Sequence, residues 1–335
     1  MKLQLLDCTL RDGANIVGTG FDRSTTLAIL EGLCDASIPI IEFGHSKGIG
    51  GSRVSGKMVP LSDKEYIKIA EPFMRKASVG MFCQPGIATE ELLEMVAENG
   101  LGFIRIGCNG NEVDDAYKLI HKAISLGIDV RFSMKKAYIL TPTELIEKAL
   151  RIQDEGIKSV TIMDSAGTMT PDQVSQYIST MVAALDIPVG FHGHNNLGLS
   201  VGNSLVAAKS GASILDTCLM GMGRSAGNTP TEILTAILIR EGFLIGVDPK
   251  KIISFIETKL QSLVPFHQAP VLPKDIILGY AGCHSNLLNS FEDIAQEECV
   301  EIYDLIVATS ASSRNNPNKE LIREVAKSLR KKCYI

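Results

Sequence analysis

Residues 191 to 196 read FHGHNN and hold two of the six histidines of the chain, one residue apart. Residues i and i+2 of a strand face the same side, so His192 and His194 would present two imidazoles together. Two imidazoles and one carboxylate are a common facial set for a divalent cation, with positions left open for substrate and water. Read alone, the pair is equally well two hydrogen-bonded core histidines. The choice depends on what segment carries them and on what else reaches the same point.

The segments around the pair supply that setting. Short runs rich in Ile, Val, Phe and Leu recur along the chain: LQLLDC (3 to 8), IPIIEF (38 to 43), ASVGMF (77 to 82), GFIRIG (102 to 107), DVRFSM (129 to 134), SVTIMD (159 to 164), PVGFHG (188 to 193) and ILDTCL (214 to 219). Between them lie segments with apolar residues three and four apart, such as TEELLEMVAENG, TELIEKALRIQDEG and PDQVSQYISTMVAAL, each fit to be an amphipathic helix. Continuous apolar strands alternating with helices predict parallel strands covered on both faces. Eight such units predict a TIM (β/α)8 barrel. An open doubly wound sheet is the alternative, although no GxGxxG follows the first strand to support a dinucleotide site. The βα rhythm spans residues 1–261. Residues 262–335 break it and read as mostly helical, from the Pro-rich VPFHQAPVLP to the closing KELIREVAKSLRKK, forming an appended small domain or a dimer arm.

A TIM barrel builds its site from the C-terminal ends of its strands. There the chain places Arg11 and Asp12, Glu42 and His45, Arg105, Lys135 and Lys136, Asp164 and Ser165, the two histidines, and GMGRSAGN (221 to 228). Asp12 can supply the carboxylate of a metal set with His192 and His194. Glu42 would partner a ligand histidine or Arg11, or form an ion pair inside the barrel, and Arg105 reads as a packing and salt-bridge residue. Asn195 and Asn196 would orient the histidines or form a turn. Asn228 would cap the next helix or lie beside a metal. His121 and His267 read as structural.

Composition narrows the classes further. The 335 residues carry a formal charge of -5, without the clustered Lys and Arg that a nucleic-acid surface needs. The eight cysteines are scattered without CxxC pairs, as expected of reduced core thiols in a cytoplasmic protein. No signal h-region or membrane-length apolar run is present, so no membrane partner is expected.

LDCTLRDG (6 to 13), IMDSAGTMTP (162 to 171), FHGHNNLGLSVGNSLVA (191 to 207), GMGRSAGNTPTE (221 to 232) and LGYAG (278 to 282) together resemble the DRE-TIM metallolyases, and among them the bacterial 4-hydroxy-2-oxovalerate aldolases. The resemblance covers nearly the whole chain. It implies a divalent cation, Mn²⁺ or Mg²⁺, held by Asp12, His192 and His194, and cleavage of a 4-hydroxy-2-oxo acid to pyruvate and an aldehyde. Arg11 would meet the charge of the pyruvate enolate. Ser165 would bind the pyruvyl carboxylate, and Tyr280 would reach in from the C-terminal segment; His45 and Lys135 are expected beside the substrate from their places at the strand ends. That segment would contact an acylating aldehyde dehydrogenase, and a homo-oligomer is expected.

Two departures alter the expectation. Asn15 stands where those aldolases have the histidine that accepts the substrate's 4-hydroxyl proton, and an amide is no general base. Its replacement would be His45, His284, Tyr280, Lys135 or a metal-bound hydroxide. Lys47 stands where the aldolases tend to have an acid, and Lys135 and Lys136 where they are apolar or weakly polar. These lysines imply a more anionic or differently shaped acceptor, or are solvated loop residues. Two other readings stay open: a Claisen-type acyl-CoA lyase or synthase of the same superfamily, and a catalytically quiet metal-binding subunit of a dehydrogenase complex.

Overall fold

The computed structural model describes residues 3–56, 58–264, 273–313 and 317–332. The eight apolar runs form the strands β1 (Gln4–Asp7), β2 (Ile40–Phe43), β3 (Ser78–Cys83), β4 (Phe103–Asn109), β5 (Val130–Lys135), β6 (Val160–Asp164), β7 (Val189–Gly193) and β8 (Ile214–Thr217). They pair in chain order as a closed barrel. The closing ladder is parallel, from Gln4 opposite Ile214 to Asp7 opposite Thr217. Closure removes the open-sheet alternative and makes the fold a TIM barrel. It also explains why the strands lack alternation: β2, β6, β7 and β8 are buried along their whole length.

The helices start where local chemistry permits. Thr141 and Glu144 form a reciprocal capping box ahead of the helix Pro142–Asp154, with proline in its first turn. Thr170 and Gln173 do the same for Pro171–Ala184. In each case the side chains satisfy backbone donors that the first turn leaves without partners.

Two hydrophobic clusters hold the molecule. The larger packs the barrel strands against their helices and runs on to Leu260 and Val264. The smaller joins the helices Pro273–Ala281, Leu288–Glu298, Ile302–Ser312 and Lys319–Lys332 through Leu278, Phe291, Ile294, Leu305, Ile306 and Ile322. Most of the Pro-rich VPFHQAPVLP, with His267, lies outside the described residues.

The C-terminal helices rest on the loops that follow β7 and β8. Asn196 Nδ2 donates to the carbonyl of Asp275 at 3.2 Å and to Ser225 Oγ at 2.9 Å, and Ser225 Oγ donates to Asp275 Oδ1 at 2.5 Å. Gly279 faces the same loop, and a Cβ there would come within 3.0 Å of Asn196 Cβ and Leu197 Cγ. The helix can approach this closely because that position carries no side chain.

Cys8, Cys83, Cys108, Cys218 and Cys283 are buried free thiols, as expected; Cys34 is half-buried and Cys299 exposed, while Cys333 lies outside the described residues. Among the described residues, no helix is long and apolar enough to cross a membrane.

Candidate active site

At the C-terminal mouth of the barrel lies a cleft of about 420 Å³, lined in part by Arg11, Asp12, Ser165, His192, His194 and His284. Register places the histidines as the i, i+2 rule predicts. His192 lies in β7 opposite Met163, and His194 follows the strand, its N–H donating to the carbonyl of Asp164.

The two Nε2 atoms are 3.4 Å apart, and Asp12 Oδ2 lies 3.7 Å from His192 Nε2 and 3.8 Å from His194 Nε2. All three residues are buried. Two ring nitrogens and a carboxylate oxygen that converge so closely fit a divalent cation bound by N and O ligands. The electrostatics favour positive charge at this point. Burial opposes ionisation, yet Arg11 and the two imidazoles hold the Asp12 carboxyl well below its ordinary range. Burial also opposes a charged His192, but its bond to Asp216 pushes it up to about 10; burial pushes His194 down to about 3. Asn228 adds a further indication: its Nδ2 donates to Asp12 Oδ2 at 2.7 Å, while its buried Oδ1 has no partner among the described residues. It is therefore an orienting group for Asp12 rather than the helix cap that its position in AGNTP suggested.

Cys8, His192 and Asp216 also cluster closely enough to hold an ion. Of that group only His192 lines the cleft; Cys8 and Asp216 do not, and Asp216 is already paired with Arg105. The set containing Asp12 is the one open to a substrate.

Beneath the site runs a chain of buried charges. Arg11 Nε donates to Glu42 Oε1 at 2.5 Å, and Arg105 Nε donates to Glu42 Oε2 at 2.5 Å. Arg105 Nη1 donates to Asp216 Oδ2 at 2.5 Å, and Asp216 Oδ2 lies 3.0 Å from His192 Nδ1. Paired this way, each charge has a partner where an isolated one would be costly. The chain orients both ends. Asp216 fixes the His192 ring through Nδ1, so that Nε2 faces Asp12 and His194, where a metal would take the place of its proton. Arg11 has its Nη1 on Asp12 Oδ1 at 2.7 Å, its guanidinium stacked 4.5 Å from the Phe82 ring centre, and its Nη2 without a partner among the described residues. That leaves one buried donor for an oxyanion. Both expectations for Glu42, partner of Arg11 and interior ion pair, are met by the same carboxylate. Asp216 was not singled out in the sequence, although a lone acid inside an apolar strand is the signal that drew attention to Glu42.

Several expected residues sit elsewhere. Tyr280 does not line the cleft: it is 71% exposed, because the seating of its neighbour Gly279 on the β7 loop turns the next side chain outward. His45 is buried behind the loop, its Nδ1 accepting the Lys47 N–H at 3.0 Å, while Ser46 and Lys47 reach the cleft instead. Asn15 Nδ2 donates to the Asp12 carbonyl at 2.8 Å and to Asp12 Oδ1 at 3.2 Å, so the amide braces the carboxylate. Asn195 Oδ1 accepts from Ser200 at the start of a helix, and Asn196 holds the C-terminal helices; neither is hydrogen-bonded to the histidines. His121 is exposed and pairs with Glu155 at 2.6 Å.

Ser165 and Lys135 do line the cleft, as expected. Ser165 Oγ accepts the Lys136 N–H at 3.0 Å, leaving its own proton free for a ligand. Lys135 Nζ donates to Gln84 Oε1 at 2.7 Å, and Gln84 Nε2 donates to the Lys47 carbonyl at 2.7 Å. From the C-terminal segment come His284 and Asn286, with His284 Nδ1 2.7 Å from Asn286 Oδ1. Burial, with Arg224 and Lys136 close by, pushes the His284 imidazole down to about 4, so its ring is neutral at pH 7.

Sequence profiles place residues 2–258 in a match to the family described as HMGL-like. The chain is 34% identical over 332 residues to a 4-hydroxy-2-oxovalerate aldolase of Carboxydothermus hydrogenoformans, covering 98% of each. It is 33% identical to the enzyme of the same name from Thermomicrobium roseum, covering 96% of this chain and 90% of that one. In structure it is similar to the carboxyl transferase domain of Rhizobium etli pyruvate carboxylase, solved with pyruvate, at a TM-score of 0.80 and 12% identity, covering 99% of this chain and 62% of that one. At that identity the likeness concerns the fold.

Proposed function

The chain belongs to the HMGL-like family, whose similar members here are aldolases, and from that premise we propose that it is a divalent-metal-dependent pyruvate aldolase. It would split a 4-hydroxy-2-oxo acid into pyruvate and an aldehyde, or join the two. The carrying observation is the convergence of Asp12, His192 and His194 beside the unpartnered Nη2 of Arg11 in one cleft.

Asp12, His192 and His194 would hold Mn²⁺ or Mg²⁺, with Asn228 Oδ1 adjacent. When bound, the cation acts as a Lewis acid toward the 2-oxo acid. The Ser165 hydroxyl donates to the pyruvyl carboxylate. Arg11 Nη2 donates to the keto oxygen and stabilises the negative charge that grows there as the C3–C4 bond breaks. His284 takes the place left by Asn15. A neutral imidazole lining the cleft, it accepts the 4-hydroxyl proton, the aldehyde leaves, and the C3–C4 electron pair passes to the enolate. Asn15 positions Asp12.

The two separate hydrophobic clusters support reading a barrel domain and a C-terminal helical domain, although Val264, beyond the expected boundary at 261, still packs with the barrel; the second domain would be a surface for a dehydrogenase or a second copy. The free thiols support a reducing cytoplasm.

The test is proton exchange. With Mn²⁺ and pyruvate in deuterated water, NMR should show the methyl protons of pyruvate disappearing at an enzyme-dependent rate. An unchanged methyl signal would overturn the reading.

A further inference from the structure

The cleft carries more positive charge than pyruvate chemistry uses. Lys47, Lys135, Lys136 and Arg224 line it in addition to Arg11, and the one carboxylate among its described lining residues is that of Asp12. This stands out in a chain of formal charge -5.

Asp12 and Arg11 are already committed to each other, to Glu42 and to the metal set. Glu112 acts on Lys135 and Asp12 on Arg224 only from beyond ion-pair distance. The Lys135 ammonium reaches the neutral Gln84 amide oxygen, and the Lys47 and Arg224 side chains form no ion pair or hydrogen bond with any described residue. Burial pushes Lys135 down to about 8 and lowers Lys136 and Arg224 from their ordinary values, so folding bears a cost for holding these charges where they are. Cations gathered this way in a concave, partly dry site concentrate an anion.

The pyruvyl carboxylate is one such anion, but Ser165 and the metal set already account for it. The other lining groups suit a polar chain: the amides of Gln84, Asn109 and Asn286 share the cleft, with few apolar side chains to receive an alkyl tail. The Gln84 amide joins the Lys47 backbone carbonyl to the Lys135 ammonium, which sets these two residues side by side in the lining.

Building on the aldolase reading, we propose that the aldehyde half of the substrate bears an anionic group, phosphate or carboxylate, remote from its carbonyl, and that Lys47, Lys135 and Arg224 receive it.

The experiment supplies the Mn²⁺-loaded enzyme and pyruvate with glyceraldehyde 3-phosphate, succinic semialdehyde, glyceraldehyde or propanal, and measures kcat/KM for aldol addition. At least one anionic aldehyde should exceed its uncharged counterpart tenfold or more, and whether phosphate or carboxylate leads identifies the group. Lys47→Met, at a half-exposed position, and Lys135→Met should each lower the ratio of anionic to uncharged kcat/KM at least fivefold. If pyruvate exchanges its methyl protons yet uncharged aldehydes serve as well as anionic ones, the proposal falls and the aldolase reading stands. A ratio unmoved in both variants also overturns it. Absence of exchange removes both.

Discussion

Asp12 is held by three side chains: Arg11 and Asn15 on Oδ1, and Asn228 on Oδ2. So constrained, it offers a preset oxygen beside the two imidazoles. Asp12→Asn should lower Mn²⁺ affinity more than a hundredfold by calorimetry, since an amide brings neither the charge nor the second acceptor. The pair His192 and His194 was legible because strand geometry alone aims i and i+2 together. The proton acceptor was legible only as a set of candidates that included His284, because ranking them depends on how the segment after the helix Pro273–Ala281 meets the barrel. His284→Ala should reduce retro-aldol kcat about a hundredfold or more while pyruvate proton exchange persists, a split that loss of the metal site would not give. Lys135 makes a different prediction. Its ammonium, ordinarily at 10.5, sits at about 8 in the fold. At pH 7 both folded and unfolded states carry the proton, so the folded state bears the full cost of burying it. Between about 8 and 10.5 the folded state has shed the proton while the unfolded one still binds it, and stability rises with pH. Lys135→Met should therefore be more stable than the parent by about 1–2 kcal/mol at pH 7, an advantage that shrinks across that window in urea titrations.

The strands were legible element by element because burial on both faces removes alternation: PVGFHG and ILDTCL read as barrel strands and are β7 and β8. Capping pairs such as Thr141 with Glu144 made helix starts equally readable. Loop crossings were not, since they depend on contacts between segments far apart in sequence. Gly167 shows this: at a φ of 59°, it passes so close to the β7 loop that a Cβ would stand 2.6 Å from Asn196 N. Gly279 carries the largest functional consequence, because its lack of a side chain lets the helix Pro273–Ala281 settle on Leu197 and thereby brings the following segment to the cleft. Gly279→Leu should push the helix off that loop. We expect Mn²⁺ binding to survive and kcat for cleavage to fall at least tenfold, with increased hydrogen exchange confined to residues beyond 273.

At the scale of the whole molecule, sequence composition gave a mildly acidic chain and concealed a cationic cleft, because net charge averages over a surface that the fold then sorts. Anionic substrates approaching this molecule meet a repulsive exterior and an attractive mouth. Raising ionic strength from about 10 mM to about 300 mM shortens the screening length several-fold. The kcat/KM for pyruvate should accordingly fall severalfold over that range, mostly through KM, in steady-state assays at constant Mn²⁺. The buried series from Arg11 through Glu42, Arg105 and Asp216 to His192 bears on how such a catalyst can change over time. No member can be exchanged singly without stranding its neighbour's charge in the dry interior, whereas Lys47 and Arg224 are bound to no such neighbour among the described residues. Natural or laboratory diversification thus has a fixed chemical engine and a freely tunable collar, and new aldehyde preferences would arise at the collar first.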